Sequence, residues 1–544
     1  MNGLSHRLLS LRLPLPPSPA FLPVLALLYA LIGLIGHAPW KPDDAIGAGI
    51  VSQMLRNGQW WVPSLAGDVF LEDGPLYYWI AAALAWIASP LLQLHDGARL
   101  ASGALTLLAL VLVRRTARDL YGRPEGDAAA LVLLGSLGLL LHAHENLAEI
   151  GALAAQALTL FAMVLARRRH LLAGVLMGVG WAGSFLSKGI GAALIPLLVL
   201  AAVPLASGEW RTRRYALSAA LAALTGTMLC GAWMFAAHLH APAPLNAWIE
   251  FQLTSLRTPT AAAAADYGMT LSWAAWPAWP IALWILWEWR RRLSDAGVGF
   301  PLANLVVTAT IVATMPGNRD VNTLPLLLPL ALLAGAGVPL LRRGAGSALA
   351  WFGAMTFSFF GGLVWLGWFA MMTGIPAQIQ RNFAKLEPGH VPQFDGFAFV
   401  LAAALTVAWL VLLLRSERSV FRSITFWAAG VVLFWSLVMT LLIDWIDYGR
   451  TYRPVALALK RAIPPGTRCI ESRSLGEAQR AAFDYHAGIV TRRAESGGNA
   501  HCPVLLVQAR PDDQDRTLGP GWKRIWEGNR PRDKERYRLY VRQP

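Results

Sequence analysis

The residue types that can do chemistry fall in a few short stretches. The first is HAPWKPDDAIG (37–47), where two adjacent carboxylates, Asp43 and Asp44, follow the first long apolar run. Glu72 and Asp73 stand together in LEDGPLYYW, with Tyr77 just beyond, and Glu149 begins the run after HAHEN. The cations that could face an anion are Lys188 in LSKGIG, Arg257 in SLRTP, Arg319 in PGNRDVN, and Lys41 beside the acidic pair. Carboxylates take protons from nucleophiles, and fixed cations stabilise a leaving anion. Each residue also has a plainer reading. Asp43 and Asp44 suit a helix N-cap, Glu149 suits the positive end of a helix dipole, and Lys188 can snorkel. Arg319 can pair with Asp320 in a turn, and Arg257 can be a loop cation. A charge at bilayer depth costs about 2.5–3.5 kcal/mol on insertion scales, so a second adjacent acid calls for more than capping.

The elements that must position these residues are apolar. Of 544 residues, 56% are hydrophobic and 15% charged, more apolar than soluble domains usually are. Fourteen apolar runs, from 20–36 to 425–443, approach the roughly 20 residues that cross hydrocarbon. The net charge of +15 could suggest nucleic acid, but the arginines cluster in short gaps between runs, at 114–118, 167–169, 211–214, 290–292, 342–343 and 415–422. That is the positive-inside pattern, and it excludes nucleic acid as the expected partner. If the run PLYYWIAAALAWIASPLL does not cross, thirteen spans remain, with the N-terminus and every arginine cluster cytoplasmic. Segments 37–96, 239–270 and 374–395 and the chain after about 445 are then periplasmic.

The expected fold is therefore an all-α polytopic membrane protein of about thirteen transmembrane helices. Residues 1–444 form the membrane domain, with outer-face juxtamembrane helices in the loop 37–96. Residues 445–544 form a small periplasmic α/β domain, read from helical YRPVALALKRAI and LGEAQRAAFDYHA among alternating TRCIES, PVLLVQA, WKRIWEG and RYRLYVR. The spacing of Ile46, Ile50, Val51 and Met54 predicts an amphipathic helix on the membrane surface, started by the two aspartates. Cys469 and Cys502 share the exported tail, where a disulfide can persist.

Several stretches, taken in order, resemble the GT-C glycosyltransferases, and most closely the lipid A aminoarabinose transferase and protein O-mannosyltransferase group. They are PDD with its short methionine-containing helix, NGQWWVP, LEDGPLYYW, HAHENLAEIG, LSKGIG and MPGNRDVNTLP. The resemblance is good over about residues 20–340 and looser beyond. It implies a bacterial inner-membrane enzyme that moves a sugar from a polyprenyl (undecaprenyl) phosphate donor to lipid A, a surface glycan, a protein or another lipid. It implies an inverting transfer at the periplasmic face, with Asp43 at the family's first acid as base and Asp44 second. Glu72, Asp73, Tyr77, Glu149, Lys188, Arg257 and Arg319 are the expected substrate-binding residues. The family's Glu-Lys-Pro, whose lysine contacts the lipid phosphate, reads Glu72-Asp73-Gly74 here, so phosphate binding comes from another cation, a metal bridges, or the substrate differs.

No cofactor is required by this reading. His142, His144, His238 and His240 lie on the outer side and could hold a divalent cation with Glu72 and Asp73, but no ligand spacing is diagnostic. A transporter or flippase of lipid-linked sugars is the alternative class. It would be expected to show inverted repeats and mid-span acids, whereas here the acids gather in outer loops. A catalytically inactive relative acting as an assembly subunit is the third reading.

Overall fold

The computed structural model describes residues 20–543, apart from 259, 316–319, 418, 495–501, 511–520 and 532. Arg319 and Arg418 thus lie outside the described residues. Helices dominate because, in hydrocarbon, each backbone polar group needs a partner within its own segment.

The chain opens with α1 (Phe21–Leu31), α2 (Asp43–Asn57), α3 (Leu76–Ala88) and α4 (Leu94–Leu120). Next come α5 (Arg123–Leu134), α6 (Leu137–His142), α7 (Ala148–Leu165), α8 (His170–Ala206), α9 (Arg213–His240) and α10 (Pro242–Thr254). They are followed by α11 (Ala261–Ala274), α12 (Ala278–Glu288), α13 (Ala296–Val312) and α14 (Leu327–Gly337), the last flanked by 3-10 turns at Asp320–Leu326 and Val338–Leu340. After α15 (Arg343–Thr373), α16 (Ala377–Leu386), α17 (Gly396–Arg415) and α18 (Arg422–Leu441), the chain leaves the bundle through α19 (Ile443–Arg450). Among the described residues, eight helical segments are long and apolar enough to cross a membrane unaided.

Broken helices account for the other passes. α8 is interrupted at Lys188 and Gly189, and its two limbs fold back on each other. Ser218 of α9 donates to the carbonyl of His170 at the start of α8, while Tyr215 donates to that of Leu200 on the returning limb. α11 and α12 form one interrupted column, with Tyr267 beside Asn322 at one end and Ile281 against Gly337 near the other. With α5 joined to α6 and 320–340 taken as one column, thirteen passes result.

α3 is not one of them. Its 13 residues reach about 20 Å, and its placement rather than its length sets it apart from the 11-residue α1. It lies along the first turns of α4, with Tyr77 bonded to Ser102 and Ala85 against Gly97. Both its ends therefore stay at one end of the bundle. The arginine clusters collect at the opposite end, where Arg114 pairs with Asp127, Arg167 with Glu209 and Arg168 with Asp119.

The chain beyond α19 forms α20 (Arg453–Ala462), α21 (Glu477–Ala487) and a five-stranded sheet. β1 (Ser64–Leu65) and β2 (Asp68–Val69) make a small hairpin in the early loop. The sheet consists of β3 (Ile470–Arg473), β4 (Arg492–Arg493), β5 (Val504–Ala509), β6 (Trp522–Gly528) and β7 (Arg536–Arg542) in the order β4-β3-β5-β7-β6. β3 runs parallel to β4 and β5, while β7 is antiparallel to β5 and β6. Tyr452, Leu459, Phe483, Leu506, Tyr537 and Leu539 form its core. Cys469 and Cys502 are joined in a disulfide, their Cα atoms 5.2 Å apart.

The helix starting at Asp43 departs from the expected surface helix. Residues 43–45 and 47–54 of α2 are all buried, because the helix is held between the bundle and the C-terminal domain. A Cβ at Gly47 would meet the Asn146 carbonyl oxygen at 2.0 Å, and at Gly49 the Ala481 side chain at 3.1 Å. Apolar spacing marked the face packed against the bundle, and the domain then covered the other.

Candidate active site

α2 brings the two aspartates to the end of the bundle that carries the C-terminal domain. Neither sits at the N-cap: Pro42 occupies that position, without a side-chain cap bond, and the aspartates are the first two residues of the helix. Asp44 instead reaches across to other helices. Its Oδ1 accepts from Arg99 Nε at 3.1 Å and from the backbone N and Nδ2 of Asn146 at 2.9 and 2.8 Å. Its Oδ2 accepts from Arg99 Nη2 at 2.6 Å and Trp40 N at 3.1 Å. Burial pushes the Asp44 carboxyl up, but the Arg99 guanidinium and these donors overcome it and hold the group at about 2. Arg99 completes its own fork with Asp96 at 2.9 Å and the carbonyls of Leu34, His37 and Ala38. Asp43 lies nearer the rim, 9% exposed against 1% for Asp44.

A second cluster forms where α3, α7 and the break in α8 converge. Lys188 Nζ bonds the carboxylate of Asp73 and, at 2.9 Å, that of Glu149. The lysine does not snorkel, since its side chain is only 16% exposed. Tyr78 donates to Asp73 and Trp248 Nε1 to the Asp73 carbonyl, fixing the loop. Gln252 ties that loop to the α8 break by donating to Leu71 O at 2.9 Å while accepting from Ile190 N at 3.1 Å. Gly189 has φ +71°, and a Cβ there would strike the Gln252 amide at 2.1 Å, so this break requires glycine. Glu72 adjoins the cluster. Burial lifts its carboxyl to about 7; Lys188 opposes that rise, and Asp73, Glu477 and Glu149 add to it. Burial also raises Asp73, against the pull of Lys188. Glu149 Oε2 and Ser187 Oγ are buried with no hydrogen-bond partner.

The remaining expected residues divide. Tyr77 is fully buried, its hydroxyl 2.7 Å from Ser102 Oγ, and Ser102 donates to the Glu145 carbonyl. Arg257 is exposed beside the break, its backbone N bonded to Thr314 O. Lys41 pairs with Glu535 of the C-terminal domain at 3.4 Å. His142 lies between Glu145 at 2.9 Å and Asp320 at 3.4 Å, so Asp320 has this imidazole as a partner. His144 bonds the carbonyls of Leu140 and Tyr29, while His240 stacks on Trp61. Among the described residues, no three His, Cys, Asp or Glu side chains converge as a metal site.

Arg99, Asn146 and Gln252 were not singled out in the sequence, although Arg99 showed itself as a lone cation inside an apolar run. Also missed was the grip of the C-terminal domain. Arg480, 1% exposed, reaches Asp68 at 2.7 Å and Ala66 O at 3.2 Å in the β1–β2 hairpin. Asp484 takes Gln53 and Arg56 of α2, and Tyr485 bonds His95.

Comparison with known proteins agrees with this fold. Residues 72–233 match the family model described as dolichyl-phosphate-mannose-protein mannosyltransferase. The fold is similar to crystal structures of ArnT from Cupriavidus metallidurans. For the one bound to undecaprenyl phosphate, the TM-score is 0.68 at 17% identity, covering 96% of this chain and 97% of that one. The chain thus resembles polytopic membrane glycosyltransferases in part of its sequence and in its fold. Within that class it is similar to the undecaprenyl phosphate-alpha-4-amino-4-deoxy-L-arabinose arabinosyl transferase of Pseudomonas aeruginosa (strain UCBPP-PA14). The two are 29% identical over 434 residues, 76% of this chain and 73% of the relative. The corresponding protein of Pectobacterium atrosepticum is 26% identical over 441 residues, covering 76% and 74%.

Proposed function

We propose that the protein transfers a sugar from a polyprenyl-phosphate donor, undecaprenyl phosphate in particular, to an acceptor at the periplasmic face of the inner membrane. The acceptor is lipid A, a surface glycan, a protein or another lipid. The observation that carries this reading is the commitment of Asp44 to five hydrogen bonds beside the more exposed Asp43. Asp44 is the positioning carboxylate, and Asp43 is the base.

Asp43 takes the proton of the acceptor hydroxyl as its oxygen attacks the sugar's anomeric carbon. The bond from that carbon to the phosphate oxygen breaks, and its electron pair stays on the phosphate. Lys188 is the principal cation facing that phosphate, with the exposed Arg257 as a second; Arg319, the third cation expected from the sequence, lies outside the described residues. Glu72, Asp73, Tyr77 and Glu149 shape the donor's headgroup site. The arginine clusters at the far end of the bundle support a cytoplasmic N-terminus and a periplasmic C-terminal domain, residues 445–544, above the membrane domain 1–444. A disulfide in that domain suits the same side.

The test is reconstitution in nanodiscs with undecaprenyl-phosphate-linked sugars and lipid A, following release of undecaprenyl phosphate by mass spectrometry. Release that depends on the protein and on acceptor supports the reading. A donor panel left unconsumed, with no phosphate lipid bound, contradicts it.

A further inference from the structure

The Lys188 cluster holds more negative than positive charge. Lys188 is shared by Asp73 and Glu149, and Glu72 stands beside them. One ammonium facing two buried carboxylates leaves a net charge of about −1 before Glu72 is counted. A site built only to hold a phosphate would not surround its lysine this way.

The reaction changes the charge of the lipid. The donor is a phosphodiester with one negative charge. When the sugar–oxygen bond breaks, the carrier becomes a phosphomonoester, with a charge of about −1.5 to −2 at pH 7 and a second pKa near 6 by analogy with other phosphomonoesters. Its polyprenyl tail keeps it in the same leaflet, where it competes with fresh donor.

We propose that Asp73 is a specificity-determining residue that makes the site prefer the singly charged donor and expel the doubly charged spent carrier. This rests on the reading of the site as one for polyprenyl-phosphate sugars. Asp73 suits the role because Lys188 does not depend on it alone. Glu149 holds the same ammonium at 2.9 Å, and Tyr78 and Trp248 fix the Asp73 loop. Its charge therefore adds repulsion beyond what placing the lysine requires. A buried carboxylate within a few ångströms of one extra phosphate charge shifts an affinity by about tenfold.

The experiment measures binding of two probes to full-length protein in nanodiscs, wild type and Asp73→Asn. One probe is undecaprenyl phosphate; the other is its methyl diester, which keeps one charge and carries no sugar. The expected result is that Asp73→Asn tightens undecaprenyl phosphate by about tenfold more than it tightens the methyl diester, because the repulsion scales with the phosphate charge. Glu149→Gln provides a second variant should Asp73→Asn fold poorly, and it should shift the same ratio in the same direction. In wild type, the preference for the diester should shrink as pH falls through about 6 and the monoester dianion takes up one proton to become a monoanion. Equal shifts for both probes, or none, with wild-type binding intact, would overturn the role of Asp73 alone. If wild type binds neither probe, the donor reading falls, and this inference with it.

Discussion

Arg99 and Asp44 form a fully enclosed ion pair, 2.6 Å from guanidinium to carboxylate, with side chains 0% and 1% exposed. They lie 55 residues apart, and the pair joins the start of α4 to the first turn of α2. Both Asp44 oxygens and Arg99 Nη2 are also bonded elsewhere, to Asn146, Trp40 and the Ala38 carbonyl. The aspartate next to Asp43 is thus part of the frame.

Breaking that frame from one side should be severe. Arg99→Met leaves a buried carboxylate without its cation and should cost about 3–5 kcal/mol. The expected readout is a large fall in the thermal midpoint of the purified protein, with activity lost in proportion to folded protein. Asp44→Asn should give a similar loss. In wild type, the Asp44 contribution is complete above about 4, its unfolded value, and disappears as pH falls through about 2. A midpoint unchanged by Arg99→Met would show that the pair is not structural.

Glu72 gives the opposite pH signature. Its folded value of about 7 lies above the ordinary 4.5, so the folded protein holds a proton that the unfolded chain has released. Its contribution is full below about 4.5 and is lost as pH rises through about 7. Glu72→Gln should therefore become progressively more stable relative to wild type between pH 4.5 and 8. Parallel midpoint curves for the two proteins would rule out a raised Glu72.

The C-terminal domain should be needed to hold the site loop. Arg480→Met removes the guanidinium that reaches both Asp68 and the Ala66 carbonyl from a buried position. The Asp68 carboxylate is half exposed and stays solvated, so the local cost is on the order of 1–3 kcal/mol, mainly from the Ala66 carbonyl losing its donor. Hydrogen exchange should rise in residues 61–74 and in α2 while the transmembrane helices stay protected. Transfer should fall mainly through kcat. Unaltered exchange in the hairpin would mean that the domain only rests on the loop.

Much of this architecture was legible because it depends on local pattern. Apolar runs and arginine gaps marked the thirteen passes, and parity separated the short α3 from the spans. Alternation along PVLLVQA, WKRIWEG and RYRLYVR marked three strands of the sheet. The pairings were less legible, since they join residues far apart in the chain. Asp44 looked like a helix cap because its partners, Arg99 and Asn146, come from two other helices. Lys188 looked like a snorkelling residue because the acids that bury it lie 115 and 39 positions away. The burial of α2 depends on Ala481 and Asp484, more than 400 residues downstream.

The central claim, that Asp43 is the base beside a structural Asp44, is tested most directly by single-turnover transfer with Asp43→Asn in nanodiscs. Its thermal midpoint is measured alongside. The account predicts a midpoint within a few degrees of wild type and a transfer rate lower by about 10²–10⁴-fold, the usual contribution of a general base. A well-folded Asp43→Asn protein that transfers sugar at the wild-type rate would contradict it.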